Sequence, residues 1–419
     1  MRGAAGDARP AWFEGLRYLT ADEAPIPMVL KRTPEDFVVE EIPSITPGEA
    51  GEHLWIFVEK RLLSTPDLAR RIGRAFGLTP KDIGWAGRKD ARAVTRQWLS
   101  IRGGVPERLG EIEGEDLRVL RHARNERKLR VGALAGNRFE LRLREIDAAD
   151  RPRVERQLER LAGTGLPNYF GEQRFGFFGQ THELGRLLVQ RRWRDYIHAL
   201  VSPRHAVDSS AVTRLRDALA SGERSAQRKL ANLARELPRE LDPLARQLAR
   251  RPGDWKSAIR ALERSTVRFH ISALQARIFN RILALRLDSF DRPERGDLLQ
   301  LHPSRSFFEV TAEEDLVSLR ERAERFELSP TGPIPGWRSP LASEGPGEIE
   351  RAVLAEEGLE AQIFHKVLPS LDVEGSRRSL RAPIGELRHS WEGADLSLSF
   401  LLPPGSYATV LVEELRKGI

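Results

Sequence analysis

The sequence of 419 residues contains no cysteine and only nine histidines. The lack of cysteine excludes disulfides, zinc ribbons and cysteine nucleophiles. The histidines are scattered without the spacing of a metal site, so we expect no bound metal. No apolar run approaches the roughly 18 residues that a membrane span requires. The N-terminus also lacks the basic and apolar segments of a signal peptide, which predicts a cytoplasmic protein that does not contact a membrane.

The composition that remains is ordinary but basic. Hydrophobic residues make up 40% and charged residues 31%, as in most globular proteins. The formal net charge is +7 and the sequence pI is about 9.9. A basic balance favours a polyanionic partner. Arginine far outnumbers lysine in this sequence, and biased codon usage would explain that excess equally well. A chain of this length suits two or three domains.

The most informative stretch runs from Ile83 to Ile101 and has the sequence I-G-W-A-G-R-K-D-A-R-A-V-T-R-Q-W-L-S-I. It predicts the end of a strand, a tight loop and a second strand from Val94. Asp90 is the one carboxylate of this loop, and nearby positive charge favours its ionised form. An aspartate in such a loop is usually a turn former or an ion-pair partner, so the loop alone does not establish catalysis. The cations that we expect around it are Arg88, Lys89, Arg92 and Arg96.

Rigid elements are predicted on both sides of this loop. The segment L-K-R-T-P-E-D-F-V-V-E-E-I-P, residues 30–43, predicts a strand from Asp36, and residues 53–61 predict an apolar strand. A helix should then begin with Thr65 as its cap. Residues 136–146, G-N-R-F-E-L-R-L-R-E-I, alternate between apolar and charged side chains, as in a half-buried strand. Such flanking elements would hold a catalytic group in place.

A second unusual stretch is G-L-P-N-Y-F-G-E-Q-R-F-G, residues 165–176. Its glycines, proline, aromatic residues and arginine are not typical of a helix or a strand. The mixture suits a rigid loop with aromatic faces for stacking on bases and amides for base edges.

A strongly basic segment, residues 120–131, carries four arginines and one lysine. It could be a solvated face or a contact with an RNA backbone, since phosphate binding depends mainly on such charge. Farther along, residues 183–290 are predicted to be mostly helical, with a polar helical insert after residue 202. Residues 296–375 predict short strands and helices, with a loop from Ser329 to Gly347.

Six stretches of the chain resemble, in the same order, the motifs of the TruD family of pseudouridine synthases. Among these motifs are K-x-x-P-E-D-F-x-V-x-E, A-G-R-K-D, G-N-x-F and N-Y-F-G-x-Q-R-F-G. The stretches are residues 31–43, 83–101, 136–141, 165–176, 377–383 and 400–409.

The resemblance implies an α+β fold. The catalytic core would have a mixed, largely antiparallel sheet flanked by helices, and an inserted α/β TRUD domain would interrupt it. The expected boundaries are residues 1–169 for the N-terminal part of the catalytic domain, 170–372 for the insert and 373–419 for the C-terminal part.

The resemblance also implies a reaction, the isomerisation of uridine to pseudouridine in tRNA, usually at position 13 of the D-arm region. Asp90 would attack a flipped-out uridine as nucleophile, without metal or cofactor. The enzyme would act on tRNA as a monomer. Lys31 is the candidate basic partner of Asp90, and Phe37 is the candidate wall for the uracil. The other candidate substrate-binding residues are Lys89, Asn137, Phe139, Asn168, Gln173 and Arg174.

Two other classes of function stay open at this point. One is a non-catalytic RNA-binding protein or tRNA chaperone on the same fold, for which substitution of Asp90 would be silent. The other is an aspartate-based hydrolase of a small substrate. That class usually needs metal ligands or a second carboxylate nearby, and the sequence shows neither at a persuasive spacing.

Overall fold

The computed structural model describes residues 13, 15–90, 93–302, 304–360 and 373–418. Arg92, one of the expected loop cations, lies outside this described part. The strands of the described part are β1 (Phe37–Pro43), β2 (His53–Arg61), β3 (Ile83–Trp85), β4 (Val94–Arg102), β5 (Leu117–Asn125), β6 (Leu134–Leu143), β7 (Leu166–Pro167), β8 (Leu298–Leu301), β9 (Phe307–Glu309), β10 (Leu328–Ile334), β11 (Ser376–Ser379), β12 (Arg381–Ala382), β13 (Gly385–Glu392) and β14 (Asp395–Leu402).

The α-helices of the same residues are α1 (Thr65–Phe76), α2 (Arg151–Thr164), α3 (Thr181–Val189), α4 (Trp193–Leu200), α5 (Ser210–Ala220), α6 (Arg224–Arg228), α7 (Leu230–Leu233), α8 (Asp242–Arg250), α9 (Trp255–Ala261), α10 (Arg264–Leu285), α11 (Leu316–Glu324), α12 (Glu344–Glu356) and α13 (Ala408–Arg416). No helix of this described part combines the length and the apolar character that crossing a bilayer requires.

The chain divides into two compact units, which we name by their content. The sheet unit comprises residues 20–166 and 382–417, and the helical unit comprises the described residues of 1–19 together with 167–381. The domain boundaries expected from the sequence, after residues 169 and 372, remain a prediction.

The sheet unit contains the larger sheet, with the strand order β13-β14-β6-β1-β4-β2-β5 and with β3 beside β4. β1 runs parallel to β4, and the other pairs are antiparallel. One face of β2 and β4 packs on α1 through a buried apolar cluster that includes Leu54, Val58 and Ile72. The α+β class and the mixed, largely antiparallel sheet flanked by helices are confirmed.

The N-terminus of α1 differs from the prediction in its capping residue. The hydroxyl of Ser64, not of Thr65, accepts a hydrogen bond from the backbone N–H of Asp67 at 3.2 Å. Pro66 occupies the first turn, where its missing N–H costs nothing. Thr65 is thereby free to direct its hydroxyl inward to Gln97 at 3.1 Å. Gly77 ends the helix as a left-handed residue, with φ of 66°.

The helical unit is built around α10. Its residues Ile271, Leu274, Ile278 and Ile282, which recur at helical spacing, are almost fully buried. They belong to an apolar cluster that also contains residues of α3, α4, α5, α7, α8 and α9. The polar stretch after residue 202 therefore has one buried apolar face, as in other surface helices.

The prediction of a loop from Ser329 to Gly347 was wrong for both ends of that segment. Its first part belongs to β10, a central strand of the sheet β11-β10-β8-β9, and its last part begins α12. β10 pairs with β8 over residues 328–330 and with β11 over residues 331–334. Each half of the strand thus bonds mainly on one side. Pro330 and Pro333 can therefore occupy it without leaving a ladder partner unsatisfied on the other side.

Candidate active site

Asp90 lies in the loop between β3 and β4, and Lys31 contacts it. The distance from Lys31 Nζ to Asp90 Oδ2 is 2.6 Å. The two side chains are 24% and 17% exposed, so the pair is shielded from solvent but still accessible. Lys31 has a left-handed backbone, with φ of 56°, which is uncommon for a residue other than glycine. The predicted contact between Lys31 and Asp90 is present in the structure.

The segment that carries Lys31 is fixed by a buried ion pair behind it. Asp36 is 1% exposed and receives hydrogen bonds from the guanidinium of Arg144, the shortest at 2.6 Å. Its carboxylate also accepts the backbone N–H of Thr33 at 3.1 Å. Burial alone would raise the pKa of Asp36, but the hydrogen bonds from Arg144 and the backbone outweigh it, so the pKa is lowered. This ionised carboxylate anchors the turn between Lys31 and β1.

Three phenylalanines form a buried wall on the same unit. Phe37 and Phe139 meet edge to face with ring centroids 6.3 Å apart, and Phe139 stacks on Phe400 at 5.5 Å. The register of the sheet brings them together, because Phe139 lies opposite Phe400 on β14 and opposite Val39 on β1, two residues from Phe37. Lys31 Nζ lies 4.0 Å from the ring centroid of Phe37, a cation–π contact. The aromatic wall therefore begins directly beside the carboxylate.

Lys89, the neighbour of Asp90 in the loop, binds two side chains of adjacent strands. Its Nζ forms an ion pair with Glu41 Oε2 at 3.0 Å and donates a hydrogen bond to Asn137 Oδ1 at 2.6 Å. Both side chains of the ion pair are buried, with 6% and 0% exposure. Desolvation raises the pKa of Glu41, and the charge of Lys89 opposes that shift. Lys89 thus ties the Asp90 loop to β1 and β6.

The other expected loop cations also have different partners or positions. Arg96 Nε binds Glu59 at 2.8 Å, and its Nη1 reaches Glu40 at 3.3 Å. Arg88 is exposed. Lys89 and Arg96 therefore have carboxylate partners other than Asp90, and the expectation that the loop cations surround Asp90 remains a prediction. Their carboxylate partners come from neighbouring strands, whose pairing cannot be inferred from the loop sequence.

The structure adds Lys60, which was not among the predicted site residues. It is 1% exposed, and its Nζ donates hydrogen bonds to the carbonyls of Leu63 at 2.6 Å and Asp90 at 3.3 Å. Desolvation lowers the pKa of Lys60 to about 8, although the charge of Asp90 opposes the shift. Lys60 lies an even number of residues after the buried Leu54 and Val58 of β2, so it points to the same side of the sheet. A lysine at an inward-pointing position could have identified this residue from the sequence.

The helix that follows β2 completes the support of the loop. The hydroxyl of Thr65, in the first turn of α1, accepts the backbone N–H of Lys89 at 3.1 Å. The backbone on both sides of the Asp90 carboxylate is therefore held, at Lys89 by α1 and at the carbonyl of Asp90 by Lys60. A catalytic group needs this kind of support from rigid elements.

Asn168 lies in the helical unit, in the loop that follows β7. It is 7% exposed, and its side-chain amide donates to the carbonyl of Ser379 at 2.9 Å. Its own backbone carbonyl accepts hydrogen bonds from the Arg378 guanidinium at 3.0 and 3.1 Å. These contacts give Asn168 a clear role in fixing the loop. A role in substrate binding remains a prediction.

Gln173 and Arg174 belong to the same loop of the helical unit, in a short 3-10 turn. Gln173 is exposed, and Arg174 is half-buried. The Arg174 guanidinium lies 5.3 Å from the ring centroid of Phe170, and its Nη1 is 3.3 Å from Ser272 Oγ. Their predicted contacts with substrate likewise remain a prediction. Among the residues that the structure describes, no three histidine, aspartate or glutamate side chains are grouped as a metal site.

The sheet unit thus combines a mixed sheet, a supported carboxylate with its lysine partner and a wall of aromatic side chains. Comparison with known sequences identifies the family. The sequence model of tRNA pseudouridine synthase D (TruD) matches residues 14–415. The chain therefore belongs to the TruD family.

Individual relatives agree with this assignment over nearly the whole chain. The tRNA pseudouridine synthase D of Geobacter metallireducens is 40% identical over 404 residues, which cover 96% of this chain and 98% of the relative. That of Pseudomonas aeruginosa is 37% identical, with 92% and 90% covered. A crystal structure from Methanosarcina mazei, described as a putative tRNA pseudouridine synthase D, has a TM-score of 0.74 and 26% identity, with 96% of each chain covered.

Proposed function

We propose that this enzyme isomerises uridine 13, in the D-arm region of tRNA, and that Asp90 is its nucleophile. As a TruD family member, the chain is an isomerase that converts uridine to pseudouridine in tRNA. The observation that carries the proposal is the Lys31–Asp90 pair at 2.6 Å beside the wall of Phe37 and Phe139. The expected monomeric state and cytoplasmic location remain predictions.

The residues of the sheet unit suit each step of this reaction. Asp90, kept ionised by Lys31, attacks the flipped-out nucleoside, and the glycosidic C–N bond breaks. The uracil rotates while it is held and rejoins the ribose through carbon 5. The covalent bond to Asp90 then breaks, the carbon 5 proton passes to the released carboxylate, and N1, which has lost the ribose, takes up a proton, so the nucleoside is only rearranged. The aromatic wall supports the planar ring during rotation, because stacking constrains the ring plane without fixing its orientation.

The amide of Asn137 is the candidate group for the edge of the uracil. The oxygen of this amide accepts a hydrogen bond from Lys89. That contact fixes the orientation of the Asn137 amide N–H groups. An oriented amide can donate to a uracil carbonyl. Lys89 then acts on the substrate through Asn137.

The test is pseudouridine mapping on unmodified tRNA transcripts after incubation with the wild type and with Asp90→Asn. The asparagine keeps the size of the side chain and removes its charge and nucleophilicity. We expect one new pseudouridine in the D-arm region with the wild type and none with the variant. Asp82→Asn is the matched control, because it removes one carboxylate from the preceding exposed turn of the same unit.

Two results would contradict the catalytic role of Asp90, and a third would contradict the target position. Modification that persists with Asp90→Asn would exclude Asp90 as the nucleophile. A wild type that binds tRNA but modifies none would support the non-catalytic RNA-binding alternative. A new pseudouridine outside the D-arm region would leave the nucleophile in place and correct the target position.

A further inference from the structure

A row of arginines follows β5 and the turn after it. β5 is the last strand in the order of the larger sheet, with a single bridge to Gly48 on its outer side. Four of the five arginines are exposed and the fifth is half-buried. Within the described residues, no carboxylate forms an ion pair with any of them. We call this row the β5 strip; it consists of Arg118, Arg121, Arg124, Arg127 and Arg130.

The lack of ion pairs distinguishes the β5 strip from the strands β2, β4 and β6 of the same sheet. Arginines of β2, β4 and β6 have carboxylate partners at 2.8 to 3.0 Å, so their charge is locally balanced. The pairs are Arg61–Glu35, Arg96–Glu59, Arg102–Glu52, Arg138–Glu386 and Arg142–Asp395. The strip therefore retains a positive charge that the folded chain does not neutralise. Like charges in a row repel one another, and an external polyanion would relieve that repulsion.

The backbone under the strip is fixed where β5 ends. The indole N–H of Trp55 donates to the carbonyl of Arg127 at 2.9 Å. The N–H of Leu129 donates to Ser100 Oγ at 2.9 Å, and the Leu129 side chain is buried. The last two arginines of the strip therefore stand on an anchored turn. A ligand that binds them does not have to order this backbone, which favours affinity.

We propose that the β5 strip binds the sugar-phosphate backbone of the tRNA substrate. This inference rests on the proposed function, because it takes tRNA as the partner. Arg118 and Arg121 lie opposite Glu59 and Phe57 on one face of the sheet, and Arg124 lies opposite Leu54 on the other face, so the backbone of the RNA would run along the sheet edge. At about 3.3 Å per residue, the edge from Arg118 to Arg124 spans roughly 20 Å, enough for several phosphates. Charges on an edge strand also prevent pairing between sheets, and that role alone would explain a charged edge. Only the RNA-binding role predicts that these cations release counterions from tRNA.

The experiment compares two double variants of the full-length protein. Arg127→Gln with Arg130→Gln removes two cations of the strip. Arg70→Gln with Arg102→Gln removes two arginines that are paired with carboxylates and whose side chains are each 62% exposed. The two variants change the net charge equally. The readouts are the Kd for unmodified tRNA over a series of salt concentrations, and kcat and KM for pseudouridine formation.

For the strip variant we expect the slope of log Kd against log salt to fall by about 1.5, since each lost phosphate contact removes about 0.7 to 0.9. At about 0.1 M salt, binding should weaken roughly tenfold or more, with KM raised and kcat retained. The control should keep the wild-type slope and KM. An unfolding midpoint equal to that of the wild type would show that the strip variant is folded.

The failure of this inference can be told apart from the failure of the proposed function. If the wild type modifies tRNA and the strip variant keeps its slope and KM, the strip is only a protected edge. If both double variants weaken binding equally, net charge and not the strip is responsible. If the wild type neither binds nor modifies tRNA, both the inference and the proposed function are overturned.

Discussion

The contact between Lys31 and Asp90 leads to a quantitative prediction for Lys31→Met. The Nζ–Oδ2 distance of 2.6 Å is that of a charge-assisted hydrogen bond between partly shielded groups. Such bonds contribute about 1.5 to 3 kcal/mol. If the contact holds Asp90 ionised and aimed in the transition state, its loss should lower kcat/KM roughly 10- to 100-fold, at about 1.4 kcal/mol for each factor of ten.

Methionine retains most of the aliphatic length of lysine and its contact with the Phe37 ring, but it carries no charge. Lys31→Arg restores the charge with a different geometry and should recover part of the activity. Arg32→Met is the matched control, because Arg32 is the next residue and pairs with the exposed Glu145 rather than with Asp90. We expect the control to retain wild-type turnover.

The assay is single-turnover formation of pseudouridine in unmodified tRNA with enzyme in excess. This arrangement separates the chemical step from tRNA binding and product release. The loss should therefore appear in the single-turnover rate at saturating enzyme. Unchanged turnover by Lys31→Met would refute the assignment of Lys31 as the basic partner of Asp90. An equal loss in Arg32→Met would show that the effect is structural.

Three further predictions concern the support of the Asp90 loop. Lys60 loses its charge as pH rises through its pKa of about 8, so kcat/KM should fall on the alkaline side. Lys60→Arg should move that fall to higher pH. The measurement is the pH profile of kcat/KM for both proteins. Lys89→Met leaves Glu41 buried without its cation, and we expect it to destabilise the protein by about 3 to 5 kcal/mol in urea unfolding. The loss should shrink when Glu41→Gln is added, and also as pH falls, because burial raises the pKa of that carboxyl. Ser64→Ala should cost about 1 kcal/mol by removing the α1 cap, without changing the pH profile.

The sequence predicted those parts of the fold that depend on local pattern. The strand at 53–61 has the predicted bounds, and the strand predicted from Asp36 begins one residue later, at Phe37. Alternation of apolar and polar residues decides such elements, so a window of a few residues suffices. This approach did not predict β10, because the prolines of that segment suggest a loop. What permits them is the division of its pairing between two partner strands, a property of the whole sheet.

Part of the candidate site was predictable from the sequence, but Lys60 and the contacts between the site residues were not. The family resemblance brought Lys31, Phe37, Asn137 and Phe139 to attention, and the structure places all four in the sheet unit with Asp90. The partner of Lys89 could not be predicted, because it depends on the pairing of β1 with β6, which puts Glu41 opposite Asn137. Pairing between distant strands is set by the packing of the whole sheet rather than by the loop.

Lys31, Lys60 and Lys89 differ in how exposed they are to solvent. From this difference we infer which of them responds to bound RNA. Lys60 and the Lys89 side chain are buried, and both are committed to protein partners in the free enzyme. Lys31 retains 24% exposure of its side chain, so bound RNA can still change its surroundings. Exclusion of water strengthens the attraction between opposite charges. The Lys31–Asp90 interaction should therefore become stronger when the nucleotide covers it, whereas the buried contacts of Lys60 and Lys89 should change little.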